Sequence, residues 1–173
     1  MIIRLSPFGC GIDLQWVIPR IIRKIKLNET MRRAKTIFLD FDGVLHPSLA
    51  EPEQLFLRAE LLIDVFKSRR PEVVISSSWR FQMSLDDLIV RLPSAIGSLV
   101  CGITGAGYVG KHARWNEIQT YCQLHKISDW RALDDSAFEF PPSCAQLIRV
   151  DGARGLTKLE VEQLTDWLDE SDA

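Results

Sequence analysis

The chain has no cysteine pair at a spacing that chemistry could use. Cys10, Cys101, Cys122 and Cys144 stand far apart, which excludes a C-x-x-C zinc or redox site and a dense disulfide framework. With only three histidines and no His/Cys cluster, nothing competes for a soft metal. No segment approaches the roughly 18 uncharged apolar residues that a membrane span needs. The N-terminus also lacks an apolar core followed by a small-residue cleavage site, so the expectation is a cytoplasmic protein without a membrane span. Internal repeats and low-complexity tracts are absent too, which excludes solenoids and arrays.

What is present suits one domain with a small extension: 173 residues, 46% of them hydrophobic. The net charge of −2 conceals an asymmetry. Residues 1–35 carry eight Lys/Arg against two acids, leaving 13 basic and 21 acidic residues in 36–173. A basic leader can contact nucleic acid or an anionic membrane, but the plainer expectation is a solvated, disordered or loosely docked extension. Within it "LQWVIPRIIRKIKL" places Val17, Ile18, Ile21, Ile22 and Ile25 at helical spacing, interrupted by Pro19. Met31 opens "MRRAKTIFLDFDG" and offers an alternative start, which would make residues 1–30 an artefact of start-site assignment.

From Thr36 onward the apolar segments alternate in type. Strands are expected at 36–40, 72–76, 98–104, 131–135 and 145–151. Helices are expected over 52–69, near 84–92 with Ser84 at its start, over 112–125, and at the C-terminus from the capping-box sequence Thr157-Lys158-Leu159-Glu160. Val/Ile/Leu-rich strands alternating with helices predict an α/β class, a doubly wound, Rossmann-like parallel sheet with helices on both faces. Ligands of such sheets bind beyond the carboxyl ends of the strands, where Asp40, Ser76, Asp134 and Asp135 are expected to converge.

"KTIFLDFDGVL" places two carboxylates, Asp40 and Asp42, at the end of a buried apolar strand. The strand period aims them the same way, and a turn at Asp42-Gly43 lets the second swing over the first. Their repulsion is relieved by a divalent cation. Oxygen ligands favour Mg²⁺, with Asp135 as a third ligand from another strand. A carboxylate beside Mg²⁺ can attack phosphorus to form an aspartyl-phosphate. Ser76 and either Lys111 or Arg114 would balance the phosphoryl charge, and Asp42 would protonate the leaving oxygen and later deprotonate water.

"FLDFDGVL" resembles the first motif of haloacid dehalogenase (HAD) superfamily phosphatases. The order of D-x-D, a strand-end Ser, Lys/Arg and an acidic pair is similar to that superfamily's four motifs. "DFDGVLHP", "ISSSWR", "RWNEI" and "LDD" with a final "GLT" resemble the small branch associated with Swiss Army Knife RNA-repair proteins, over about residues 36–168. The resemblance implies Asp40 as nucleophile and Asp42 as general acid/base, with the Asp42 backbone carbonyl as a metal ligand. It implies Ser76 as the phosphate-binding serine, with Ser77 and Ser78 leaving the register open. Arg114 or Lys111 would be the cation, Asp135 a direct metal ligand and Asp134 a residue behind it. Gly43, His46, Trp79 and Arg80 flank these motifs as substrate-contact candidates, His46 also reading as structural and Trp79 and Arg80 as packing or base-stacking residues.

HAD members acting on small metabolites usually carry a cap. Only 33 residues separate Asp42 from Ser76 and 19 separate Arg114 from Asp134, so no sizeable cap is expected. An open site favours a large phosphorylated partner, such as a nucleic-acid end or a phosphoprotein, that excludes water itself. The alternatives are a metal-dependent nuclease, a silent phosphate-binding module and a response-regulator receiver. The receiver is disfavoured because its acidic pair would come early in the chain rather than late.

Overall fold

The computed structural model describes residues 35–170. The basic leader, its helical spacing and Cys10 lie outside the described residues. Five parallel strands, β1 Thr36–Leu39, β2 Glu72–Ile75, β3 Val100–Ile103, β4 Trp130–Asp134 and β5 Leu147–Arg149, form one sheet in the order β3-β2-β1-β4-β5. The helices are α1 Ile63–Arg69, α2 Leu85–Arg91, α3 Ser94–Gly97, α4 Ala113–His125 and α5 Lys158–Asp169.

The period of two along each strand divides the core. Ile37, Leu39, Val73, Ile75, Leu133 and Ile148 face Phe66 of α1, Leu88 of α2, Ile96 of α3 and Leu164, Trp167 and Leu168 of α5. Phe38, Val74 and Ala132 face Ile118 and Cys122 of α4 on the other side. The expected doubly wound α/β sheet with helices on both faces is therefore the fold. Between β1 and β2 the chain forms 3₁₀ turns and α1, and between β3 and β4 a loop and α4, with no large cap in either segment.

Four of the five strands run shorter than the segments expected for them, β4 keeps its expected length one residue earlier, and one expected element is wrong. The helix expected over 52–69 is broken into 3₁₀ turns at Pro52–Gln54 and Leu57–Leu62 before α1 begins. Phe56 takes φ +62 in the left-handed region, which ends any continuous helix there. Its ring lies edge-on to Phe41, His46 and Trp79 at centroid distances of 5.2, 5.3 and 5.5 Å. Tertiary packing of that ring overrides the helical spacing of the flanking leucines. The other starts follow local chemistry: Ser84 accepts from Asp87 N at 3.2 Å, and the Thr157/Glu160 capping box opens α5.

Phe38 anchors the α4 side of the sheet. It is fully buried on the central strand and lies edge-to-face with Tyr121 and Trp130 at 5.8 and 5.5 Å. Phe38→Ala is expected to destabilise the fold by about 3–5 kcal/mol, the range for deleting a buried aromatic, as measured by denaturant unfolding. A loss below about 1 kcal/mol would show that this side of the sheet collapses around the cavity.

Candidate active site

Sheet register assembles the site. Leu39 pairs with Ile75 on one side and Leu133 on the other, and Ile75 pairs with Ile103. The next residues, Asp40, Ser76, Asp134 and Thr104, therefore form one row across the carboxyl ends of four adjacent strands. Backbone bonds from Asp40 N to Leu133 O, Ser76 N to Leu39 O and Thr104 N to Ile75 O extend the ladder through the row. By the period of two, the row shares the face of Phe38, Val74 and Ala132, the face that α4 covers. The first turns of α4 place Arg114 and Glu117 there, both buried.

Asp40, Asp134 and Asp135 each bring a carboxylate oxygen within 4.8 Å of the others. Arg114 Nη1 lies 3.0 Å from Asp134 Oδ2 and 3.5 Å from Asp40 Oδ1. Asp134 Oδ1 accepts from Ser136 N at 2.9 Å, and Asp40 Oδ1 from Phe41 N at 2.8 Å. Ser48 Oγ lies 3.1 Å from Asp135 Oδ2 and 3.0 Å from Gly152 O and shares its single proton between them. Two glycines make room for Asp135. A Cβ on Gly43 or on Gly152 would overlap its Oδ2, and Gly43 also sits at φ +71.

One guanidinium does not balance three carboxylates at this distance. Burial first, then the Asp40 charge, pushes the Asp134 carboxyl up to about 8 against the opposing pull of Arg114. Burial also raises Asp135, while its Ser48 hydrogen bond holds it down. Burial alone would lower Arg114, but Asp40, Asp134, Glu139 and Glu117 together keep it above its ordinary value. These groups fit a small, hard divalent cation, which would replace the proton that the crowded trio otherwise retains.

Other expected residues fall in distinct places. Ser76 Oγ is buried with no hydrogen-bond partner in the structure, whereas Ser77 Oγ caps the following turn at Trp79 N and Ser78 is exposed. Lys111 is exposed on the loop before α4, so Arg114 is the cation brought to Asp40. Arg80 is buried and donates to Ser76 O at 2.6 Å, Ser77 O at 2.9 Å and Glu117 Oε2 at 2.5 Å. It thereby braces the serine loop from behind. Asp42 stands apart from the acidic trio. Trp79 Nε1 donates to its Oδ2 at 2.8 Å, and His46 Nε2 lies 3.1 Å from its Oδ1.

Glu117, Thr104, Ser48 and Gly152 also reach the site, although no motif in the sequence assigns them a role. Glu117 accepts from Arg80 and from Tyr108 N at 2.9 Å, tying the glycine loop to α4. Its position three residues after Arg114 on a helix was an available signal. Thr104 Oγ1, buried and without a partner like Ser76 Oγ, occupies the same strand-end position one strand over. For Ser48 and Gly152 no local signal exists, because both reach Asp135 only through tertiary folding.

A family model described as "HAD domain in Swiss Army Knife RNA repair proteins" matches residues 36–161. Comparison with curated proteins and with solved structures gave no match.

The raised Asp134 carboxyl has a stability consequence. Between the unfolded value near ~3.9 and about 8, the folded chain holds a proton that the unfolded chain has released. Stability from this group is therefore greatest at the acid end and falls as pH rises through that window. Thermal melts in chelator are expected to show this fall, and millimolar Mg²⁺ is expected to stabilise the protein increasingly from pH 5 to 8. A Mg²⁺ effect that is absent, or constant with pH, would contradict the charge assignment.

Proposed function

The chain belongs to that HAD family, and from this premise we propose that it is a Mg²⁺-dependent phosphomonoester hydrolase acting through an aspartyl-phosphate on Asp40, with phosphorylated nucleic-acid ends as its substrate class. The observation that carries the reading is the carboxylate trio beside Arg114, at strand ends where the Ser76 hydroxyl is buried without a partner.

In this mechanism a carboxylate oxygen of Asp40 attacks phosphorus, and the ester P–O bond breaks as Asp42 gives its proton to the leaving oxygen. Asp42 then takes a proton from water as that water attacks the phospho-aspartate, which releases phosphate and restores Asp40. Arg114 lies over Asp40 and presents a planar, permanently charged fork to the phosphoryl oxygens, and Ser76 Oγ donates to one of them. Mg²⁺ held by this acidic cluster would neutralise charge that builds on the transferring group. The bonding pattern supports Asp135 as the direct ligand. Both Asp134 oxygens are engaged, by Arg114 and by Ser136 N, and Asp134 is almost fully buried, whereas Asp135 has no cationic partner within ion-pair distance among the described residues and is only partly buried.

The substrate class follows from access. Among the described residues no cap stands over the row, so a polymer end that covers the crevice is better suited than a free metabolite to exclude water.

The test is inorganic phosphate release, with Mg²⁺ and with chelator, from an aryl phosphate and from 3′- and 5′-phosphorylated oligonucleotides. Release is expected only with the metal, and Asp40→Asn is expected to lower it at least about a thousandfold, the scale of removing a nucleophile. Cleavage of internal diester bonds instead of phosphate release would replace the proposal with a nuclease.

A further inference from the structure

We propose that Trp79 and His46 are positioning residues that clamp the Asp42 carboxylate in the orientation for proton exchange with the leaving group. This rests on the phosphatase reading above. The side chain of Asp42 is 45% exposed, and nothing in its own backbone would stop it from turning into solvent. Yet each of its oxygens meets a nitrogen from a different element. Trp79 on the turn after β2 holds Oδ2, and His46 beyond the first motif holds Oδ1.

The donor directions are set by chemistry. An indole N–H can only donate. Phe56 N donates to His46 Nδ1 at 3.4 Å, which leaves Nε2 as the nitrogen that carries hydrogen toward Asp42. His46 is 1% exposed and cannot easily find another acceptor. Both rings are locked by packing: Trp79 against Phe41, Phe56 and His46, and His46 against Phe56. Phe56 brings both its ring and its N–H to this cluster from a left-handed backbone conformation that an aromatic residue rarely adopts. Local strain has been accepted to complete the support behind Asp42.

The clamp engages each oxygen once. Each carboxylate oxygen offers two lone-pair sites, so each keeps one free for proton exchange. As the ester bond breaks, the Asp42 carboxyl transfers its proton to the leaving oxygen and becomes the carboxylate that the two donors hold. A wrongly turned carboxyl would fail at this step alone. Aryl oxides depart without a proton, whereas alkoxides need one.

The experiment compares kcat/KM, which reports the first transfer, on 4-nitrophenyl phosphate and on an alkyl phosphate. Trp79→Phe keeps the packing and removes the N–H. His46→Leu removes a donor, and His46→Gln keeps one near the Nε2 position. Trp79→Phe and His46→Leu are each expected to lose at least about tenfold on the alkyl ester and less than about threefold on the aryl ester, within the range of general-acid effects. His46→Gln should recover most of the loss, and adding Trp79→Phe to Asp42→Asn should cost little more. Equal losses on both esters would assign the pair to packing and overturn the proposal.

A second readout needs no turnover. One of the five tryptophan indole N–H resonances disappears in Trp79→Phe and is thereby assigned. That resonance should move on Asp42→Ala, and one that stays in place overturns the clamp. Wild-type protein that releases phosphate from neither ester nor from 3′- or 5′-phosphorylated oligonucleotides ends the phosphatase reading instead, and the indole resonance then decides the clamp by itself.

Discussion

The dominant constraint in this structure is the crowding of Asp40, Asp134 and Asp135 around a single guanidinium. Oxygens within 4.8 Å of one another cannot all remain ionised in a buried setting without more positive charge than Arg114 supplies. The chain meets this electrostatic debt in three ways. Asp134 is pushed toward its protonated form, Asp40 and Asp134 accept backbone N–H bonds, and Ser48 ties down Asp135. A further cation would complete the balance, which is why the arrangement suits metal-assisted chemistry on an anionic substrate.

Parallel register is what makes the crowding possible. With β1 between β2 and β4, residues one step past the paired ends fall into a row about 4.8 Å apart, strand to strand. The row Thr104, Ser76, Asp40, Asp134 passes from two unpartnered hydroxyls to two carboxylates. α4 packs on the same face through Ile118 and Cys122, and so carries Arg114 and Glu117 over the row. Glu117 also joins Arg80, and through it the serine loop, to the segment before α4. The polar residues behind the row thus hold it in place rather than enlarge it.

Asp42 belongs to a different environment. Its partners are the ring nitrogens of an aromatic cluster that includes Phe41, the residue between the two acids. The D-F-D residues take separate roles because β1 ends at Leu39 and strand alternation no longer holds Asp42 beside Asp40: Asp40 enters the acidic row, Phe41 enters the core, and Asp42 meets Trp79 and His46. The break in the helix expected at 52–69 has the same origin, since Phe56 leaves helical geometry to close this cluster.

Much of the fold was legible because it depends on local pattern. Five Val/Ile/Leu-rich segments separated by helical spacing specified a parallel, doubly wound sheet, and the Ser84 and Thr157/Glu160 caps marked helix starts. The carboxyl-end position of Asp40, Ser76 and Asp134 followed from the same pattern, and the order of motifs pointed to the HAD family. The choice between Lys111 and Arg114 was not legible, because three residues along a loop and helix start separate an exposed side chain from a buried one. Nor was the pairing of Trp79 and His46 with Asp42, the left-handed Phe56, or the seating of Asp135 against Gly43, Gly152 and Ser48. The sequence by itself determined which residue types stand at the strand ends, since periodicity and capping act over a few residues. Only the tertiary structure decided which side chains meet there, because hydrogen bonds and excluded volume depend on segments that are distant in sequence and are brought together by burial of the core.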